Sequence, residues 1–257
     1  MRELQRWRMW KTFRRWNVEA AFRTTPHSLW QTRGFAIYDL VARALLGDPS
    51  VQTVVDVGAG RTWFFGDDYK QRRGIRLIGV DVDPAELSLN PSLDERYALD
   101  ACESLGVEEG SVDLILARAV VEHLHDTEAF YRNAFRALRP GGRFAMVFAN
   151  AWAPPILLNR VLPGAVSKAL LKGLVPNSEG YQGFKAYYDK CLHSEARKAL
   201  KRVGFQIDYD YNSYYSSSYF QFFLPLHILS IGGDCLRMAL AIRNLSAMNL
   251  FVVTRPE

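Results

Sequence analysis

Val54-Val55-Asp56-Val57-Gly58-Ala59-Gly60 is a β-branched apolar run that empties into a glycine turn. Valine fits a pleated, buried strand. Glycine lets the chain reverse tightly and brings its backbone close to a ligand that a Cβ would repel. Around this stretch lie other short Val- and Ile-rich runs, at 75–80, 112–117 and 143–149, each too short for a buried helix. Helical patterns separate them. Residues 26–46 place Leu29, Trp30, Ile37, Leu40, Val41 and Leu45 at helical spacing before Gly47-Asp48-Pro49, and 119–138 read as a helix that stops at Pro140-Gly141-Gly142. From residue 192 come a helix to Val203, then Gly204, a strand over 205–211, a long aromatic insertion and a strand over 247–253. Strand alternating with helix predicts an α/β fold with a mostly parallel sheet.

The 257 residues are 49% hydrophobic and 23% charged, an ordinary globular composition that excludes disorder, collagen and coiled coil for the whole. Cys102, Cys191 and Cys235 lie far apart, with no C-x-x-C pair, which points to a reducing cytosol. The net charge of +5 is local. Residues 1–16 hold six bases (Arg2, Arg6, Arg8, Lys11, Arg14, Arg15) against Glu3, and the remaining residues balance 26 bases with 26 acids. A neutral body argues against a groove that tracks nucleic-acid phosphates. No secretory signal is expected. The stretch 211–233 lacks Asp, Glu, Lys and Arg and could lie at a membrane surface, but Pro225, His227, Gly232-Gly233 and its serines make it a poor membrane span.

In an open parallel sheet, ligands bind beyond the carboxyl ends of the strands. Three such ends are informative. The first is the turn at 58–60. The second is Ile78-Gly79-Val80-Asp81-Val82-Asp83-Pro84, whose Asp81 stands 21 residues after Gly60, the spacing of an acid that accepts from ribose hydroxyls. Asp83 precedes a proline and reads as a helix cap, so the ribose is assigned to Asp81. The third is Asp100-Ala101, where a carboxylate suits an adenine amino group. A dinucleotide fingerprint fails because its third glycine would be Trp63, and a P-loop fails for want of G-K-[ST]. A ribose ligand without pyrophosphate, such as S-adenosylmethionine, needs neither.

The turn at 54–60, Asp81, Asp100, the run Ser111-Val112-Asp113-Leu114-Ile115-Leu116-Ala117-Arg118-Ala119-Val120-Val121-Glu122-His123-Leu124, and Arg136-Ala137-Leu138-Arg139-Pro140-Gly141-Gly142-Arg143 occur in order. Together they resemble the class I S-adenosylmethionine-dependent methyltransferases, in the small-molecule (type 11-like) branch. The resemblance covers about residues 50–150. It implies a Rossmann-like sheet of seven strands with helices on both faces, the last strand antiparallel and inserted beside the fifth. It also implies S-adenosylmethionine as cofactor, with Asp56, Gly58, Ala59 and Gly60 at the methionine half and Asp81 on ribose. Asp100 and Ala101 would lie at adenine, Val82 would be a further cofactor-binding residue, and Arg118 would lie near the cofactor after strand four. The family's frequent third glycine is Thr62 here.

A base is needed only where the acceptor must lose a proton. His123 is the candidate, with packing as its competing role; on a helical wheel it borders the stripe Val120-Leu124-Tyr131-Leu138. The Glu122-His123-Leu124-His125-Asp126 run diverges around a helix, so no metal is expected. Residues 144–159 are uncharged, and eight aromatics crowd 209–223, which suits a sugar, an aromatic ring or a lipid–water boundary. In 1–16, Met9, Trp10, Phe13 and Trp16 share an arc opposite Arg8, Lys11 and Arg15, although Arg2 and Arg6 spoil it. Such a helix suits anionic lipid, a substrate lid or packing on the domain.

The expectation is one methyltransferase domain over 1–257, with an N-terminal helical tail (1–24) and insertions (150–190, 212–245) on the acceptor side. The enzyme would be cytoplasmic and peripheral at the inner membrane face. It would methylate oxygen or nitrogen of a small or lipid-linked acceptor such as a glycan, quinone or secondary metabolite. The alternative is a non-catalytic module that senses S-adenosylmethionine.

Overall fold

The computed structural model describes residues 2–161 and 185–257. In chain order it runs α1 (Arg2–Thr24), α2 (His27–Gln31), α3 (Gly34–Leu46), β1 (Thr53–Val57), α4 (Asp67–Arg73) and β2 (Arg76–Asp81). There follow α5 (Pro84–Ser88), β3 (Glu95–Ala98), β4 (Val112–Arg118), α6 (Thr127–Ala137), β5 (Leu138–Ala149) and α7 (Pro154–Val161). After the undescribed stretch come α8 (His193–Val203), β6 (Gln206–Ser213), α9 (Leu224–Ala239) and β7 (Met248–Thr254). The part of the 150–190 insertion over 162–184 lies outside the described residues, as do the side chains of Arg2, Arg6 and Arg8.

Two compact units emerge. One gathers 2–33, 152–161 and 213–247, mainly the tail and insertions set apart in the sequence; the other gathers 34–151, 185–212 and 248–257. The second unit carries the sheet, in the order β3-β2-β1-β4-β5-β7-β6. β3, β2, β1, β4 and β5 pair in parallel, and β7 pairs antiparallel with β5, Met146 opposite Phe251. The expected Rossmann-like sheet, with its last strand antiparallel beside the fifth, is present.

Alternation along each strand builds two cores. Val55, Ile78, Ile115, Phe144 and Phe251 face one side, where Phe130, Tyr131 and Ala134 of α6 and Ala196, Ala199 and Leu200 of α8 cover them. Val54, Leu77, Leu114, Ala145 and Leu250 face the other, under Tyr38, Ala42 and Leu46 of α3. With both faces covered, the central strands are apolar almost throughout, as parallel sheets require. At the amino ends, acids pin the register. Asp113 Oδ2 accepts from the Gln52 and Thr53 amides (2.9 and 2.7 Å), and Asp94 accepts from Leu77 N–H at 2.7 Å.

Local signals explain the helix starts. Asp83 accepts from the amides of Ala85 and Glu86 (2.9 and 3.2 Å), with Pro84 in the first turn of α5. Asp126 accepts from Ala129 N–H at 2.9 Å to open α6. That cap corrects the helix expected over 119–138. Val121–His123 is a single 3₁₀ turn and α6 begins only at Thr127. The helix ends at Ala137, and Pro140-Gly141-Gly142 lie within β5. The pattern over 26–46 likewise divides into α2 and α3. Among the described residues no helix is long and apolar enough to cross a membrane.

Candidate functional site

Beyond β1 the chain turns through Gly58 and Gly60, both left-handed (φ +71° and +47°). The amides of Gly58 and Ala59 donate to Val80 O (2.7 and 3.3 Å), tying the turn to β2. The next amide, Gly60 N–H, donates to Asp81 Oδ2 at 2.9 Å, and Asp83 N–H donates to Oδ1 at 3.0 Å. A carboxylate has about four lone-pair sites, so these two bonds orient Asp81 while leaving capacity for hydroxyl donors. A Cβ on Gly60 would meet nothing within 4 Å. The turn therefore borders open space at the carboxyl end of the sheet. Ala59 is buried beside it, and Val82, just past β2, is 55% exposed.

Asp56, two residues before Gly58 on β1, is 8% exposed. Burial, reinforced by the negative charge of Asp81 and opposed by Arg118, pushes its carboxyl up to about 7. A carboxyl whose folded pKa exceeds its unfolded value stabilises the fold while protonated, fully at about pH 4, and that contribution is lost as pH rises through about 7. Asp56→Asn should level this fall. In urea titrations its stability relative to the parent should rise by up to about 4 kcal/mol between acid and mildly alkaline pH. A constant difference across that range would reject the buried, uncharged carboxyl.

Arg118 ends β4. Its guanidinium carbon stands 4.2 Å from the ring centroid of Phe35 and 4.5 Å from that of Phe64, and its Nε lies 3.3 Å from Asp39 Oδ1. Two aromatic faces and a carboxylate thus fix this cation electrostatically opposite Asp56. Phe35, Asp39 and Phe64 were not singled out in the sequence, because no spacing rule links α3 or the 61–66 loop to the tip of β4.

Asp100 and Ala101 follow β3. Asp100 Oδ1 accepts from Cys102 N–H at 2.8 Å, and its Oδ2 is 3.6 Å from His125 Nδ1, while Ala101 is buried. Donor atoms of Asp100, Cys102 and His125 lie within 4.8 Å of one another. Burial pushes the Cys102 thiol up to about 11.

His123 occupies the 3₁₀ turn after β4, not the helical wheel expected for it. Its Nδ1 is 3.3 Å from Lys185 O. A carbonyl only accepts, so Nδ1 carries the proton and Nε2 is the basic nitrogen. Beside it, Glu122 is buried. Its Oε1 accepts from Ala149 N–H at 3.3 Å, Oε2 has no partner among the described residues, and its backbone carbonyl accepts from the amides of Tyr187 and Tyr188 (2.9 and 3.0 Å). Burial raises the Glu122 carboxyl above the usual range. Its signal in the sequence was an acid standing where the apolar run of β4 gives way to Val120-Val121.

The structure thus brings Asp56, Gly58, Ala59, Gly60, Asp81 and Val82 together at the tips of β1 and β2 and couples Arg118 to Asp56 by charge. Asp100 and Ala101 stand past β3, and His123 is anchored on the 185–188 segment.

Residues 55–146 match the family model of a methyltransferase domain. A 121-residue stretch, 46% of this chain, is 35% identical to an uncharacterized methyltransferase of Mycobacterium sp. (strain KMS), covering 47% of that protein. Another of 104 residues, 38% of the chain, is 33% identical to the ubiquinone biosynthesis O-methyltransferase of Methylobacterium sp. (strain 4-46) and covers 41% of it. The chain spans about half the length of the curated relatives it matches. Among solved structures, an S-adenosylmethionine-dependent methyltransferase from Mesorhizobium loti aligns over 84% of this chain and 96% of its own, with a TM-score of 0.52 and 18% identity, a likeness of fold. The resemblance read from the motifs is borne out over the strands that carry them.

Proposed function

We propose that this chain, whose residues 55–146 match a methyltransferase domain, transfers a methyl group from S-adenosylmethionine to oxygen or nitrogen of a small or lipid-linked acceptor. The observation that carries the reading is the Asp81 carboxylate bonded to the Gly60 amide across the tips of β1 and β2. The donor set fits the cofactor: an oriented carboxylate with spare lone pairs for ribose, and a glycine turn with nothing within 4 Å of a Cβ on Gly60. When bound, S-adenosylmethionine supplies an electrophilic methyl on a sulfonium.

Asp81 holds the ribose hydroxyls. Asp56, Gly58 and Ala59 border the methionine half, while Val82, Asp100 and Ala101 border adenine. Arg118, clamped by Phe35, Phe64 and Asp39, is a fixed cation near the cofactor. His123 takes the acceptor's proton at Nε2, its tautomer set by Lys185 O. The enzyme works in the cytoplasm, with residues 1–16 touching the anionic inner membrane face. Met9, Trp10, Phe13 and Trp16 are exposed along α1.

Label from methyl-labelled S-adenosylmethionine, followed into lipid, quinone and glycan pools, tests the activity. A labelled product of defined mass is expected. Cofactor binding by calorimetry without any transfer would instead identify a sensing module. His123→Gln should lower kcat about 100-fold or more while leaving cofactor affinity within about threefold, as for a removed base. An unaltered kcat would return His123 to a packing role.

A further inference from the structure

α9 is inside out. A helix on a soluble domain turns its apolar stripe inward and its polar side chains to water. Here His227 and Asp234, seven residues apart on one face, are both fully buried. Asp234 Oδ2 accepts from the amides of Ser216 and Ser217 (both 2.9 Å), its Oδ1 accepts from Ser216 Oγ at 2.6 Å, and Arg237 pairs with it. His227 Nδ1 donates to Ser217 O at 2.9 Å, and its Nε2 lies 3.0 Å from Thr25 Oγ1. These bonds fix which face points inward. The opposite stripe is Pro225, Leu229, Gly232, Leu236 and Leu240, with Ile228 beside it and no charge along it. Leu229 is 72% exposed, Leu236 60% and Leu240 61%.

Polar bonds hold the inner face, so rolling the helix to bury its leucines would strand Asp234 and His227. The outer stripe needs an apolar neighbour. The charge of the unit says which kind. Residues 1–33 carry eight basic side chains against two acidic ones, and the single acid of 213–247 is the buried Asp234. α1 joins this body directly, for Asn17 Oδ1 accepts from Leu224 N–H at 2.8 Å and so caps α9. At 16 residues, α9 is too short to span a bilayer. We infer that α9 lies flat in an anionic membrane surface, its Leu229–Leu236–Leu240 stripe among the acyl chains. This deepens the proposed membrane contact of residues 1–16 and rests on that reading for the sign of the surface charge.

The test is cosedimentation of the full chain with phosphatidylcholine vesicles, with and without phosphatidylglycerol. The parent should pellet with the anionic vesicles. Leu229→Asp/Leu236→Asp, which alters only exposed side chains, should bind at least about tenfold more weakly. Leu236→Trp should show an emission shift to shorter wavelength on the same vesicles beyond the shift that the parent's own tryptophans give, and serves if the double variant misfolds. Lys11→Glu/Arg14→Glu/Arg15→Glu should remove the preference for anionic lipid. Undiminished pelleting of the double variant, or a shift for Leu236→Trp no larger than the parent's, would overturn the role of α9 and leave the contact to residues 1–16. A parent that pellets with neither vesicle would overturn both readings. A parent dimer by light scattering, made monomeric by the double variant with vesicle binding unchanged, would assign the stripe to a second copy instead.

Discussion

Asp81→Ala is expected to raise the calorimetric dissociation constant for S-adenosylmethionine at least about 100-fold, since two hydrogen bonds to a charged acceptor are each worth about 1.5–3 kcal/mol. The side chain has two duties. It offers lone pairs to the ribose and, through Gly60 N–H and Asp83 N–H, holds the β1 turn against β2. Asp81→Asn keeps one acceptor oxygen and most of the shape, so its loss should be nearer tenfold, about 1.4 kcal/mol. The same replacement should lower the Asp56 pKa, because the Asp81 charge is one of the two influences that raise it. Carbon-detected NMR titration of the Asp56 carboxyl reads this. Unchanged cofactor affinity in both variants would remove Asp81 from the binding site, whatever the carboxyl titration showed.

The second large effect is on stability. Gly58→Ala should cost about 2–4 kcal/mol in urea unfolding. Part is backbone strain at φ +71°. The larger part is steric, because the new Cβ would sit 2.4 Å from Val120 Cγ2, a stiff side chain between β4 and the 3₁₀ turn. Gly60→Ala is the control. It is also left-handed but faces open space, so only about 1 kcal/mol of strain is expected there. Val120→Ala should recover most of the Gly58→Ala loss in a double-mutant cycle. Equal costs at Gly58 and Gly60 would show that the Val120 contact is relieved by movement.

Much of the sheet was legible because parallel strands buried on both faces leave dense Val and Ile runs, and β1, β2 and β4 fall within a residue of those runs. The cap at Asp83 was legible too, since aspartate before proline has a single dominant local use. Periodicity misled at 119–138. Val121 and Leu124 are buried, but a 3₁₀ turn places them, and the stronger punctuation was the Asp126 cap two residues later. The site divides in the same way. Glycine turns and strand-tip acids follow from chain-local rules. The ring clamp on Arg118 and the buried Glu122 depend on residues distant in sequence, which no spacing reveals. α9 hid for another reason. Its charge-poor composition stood out, but its serine partners lie in the preceding turn, and composition does not show which face those bonds turn inward.

The strand order carries a consequence for synthesis. β7 sits between β5 and β6 in the sheet yet is made after both. While the ribosome is still translating the stretch after Ser213, β5 has a bare edge and β6 has no neighbour to zip onto. The nascent domain must wait for Met248–Thr254 before the sheet can close. Stalling or chaperone capture at that stage would hold an unpaired strand edge, the surface most prone to off-pathway association.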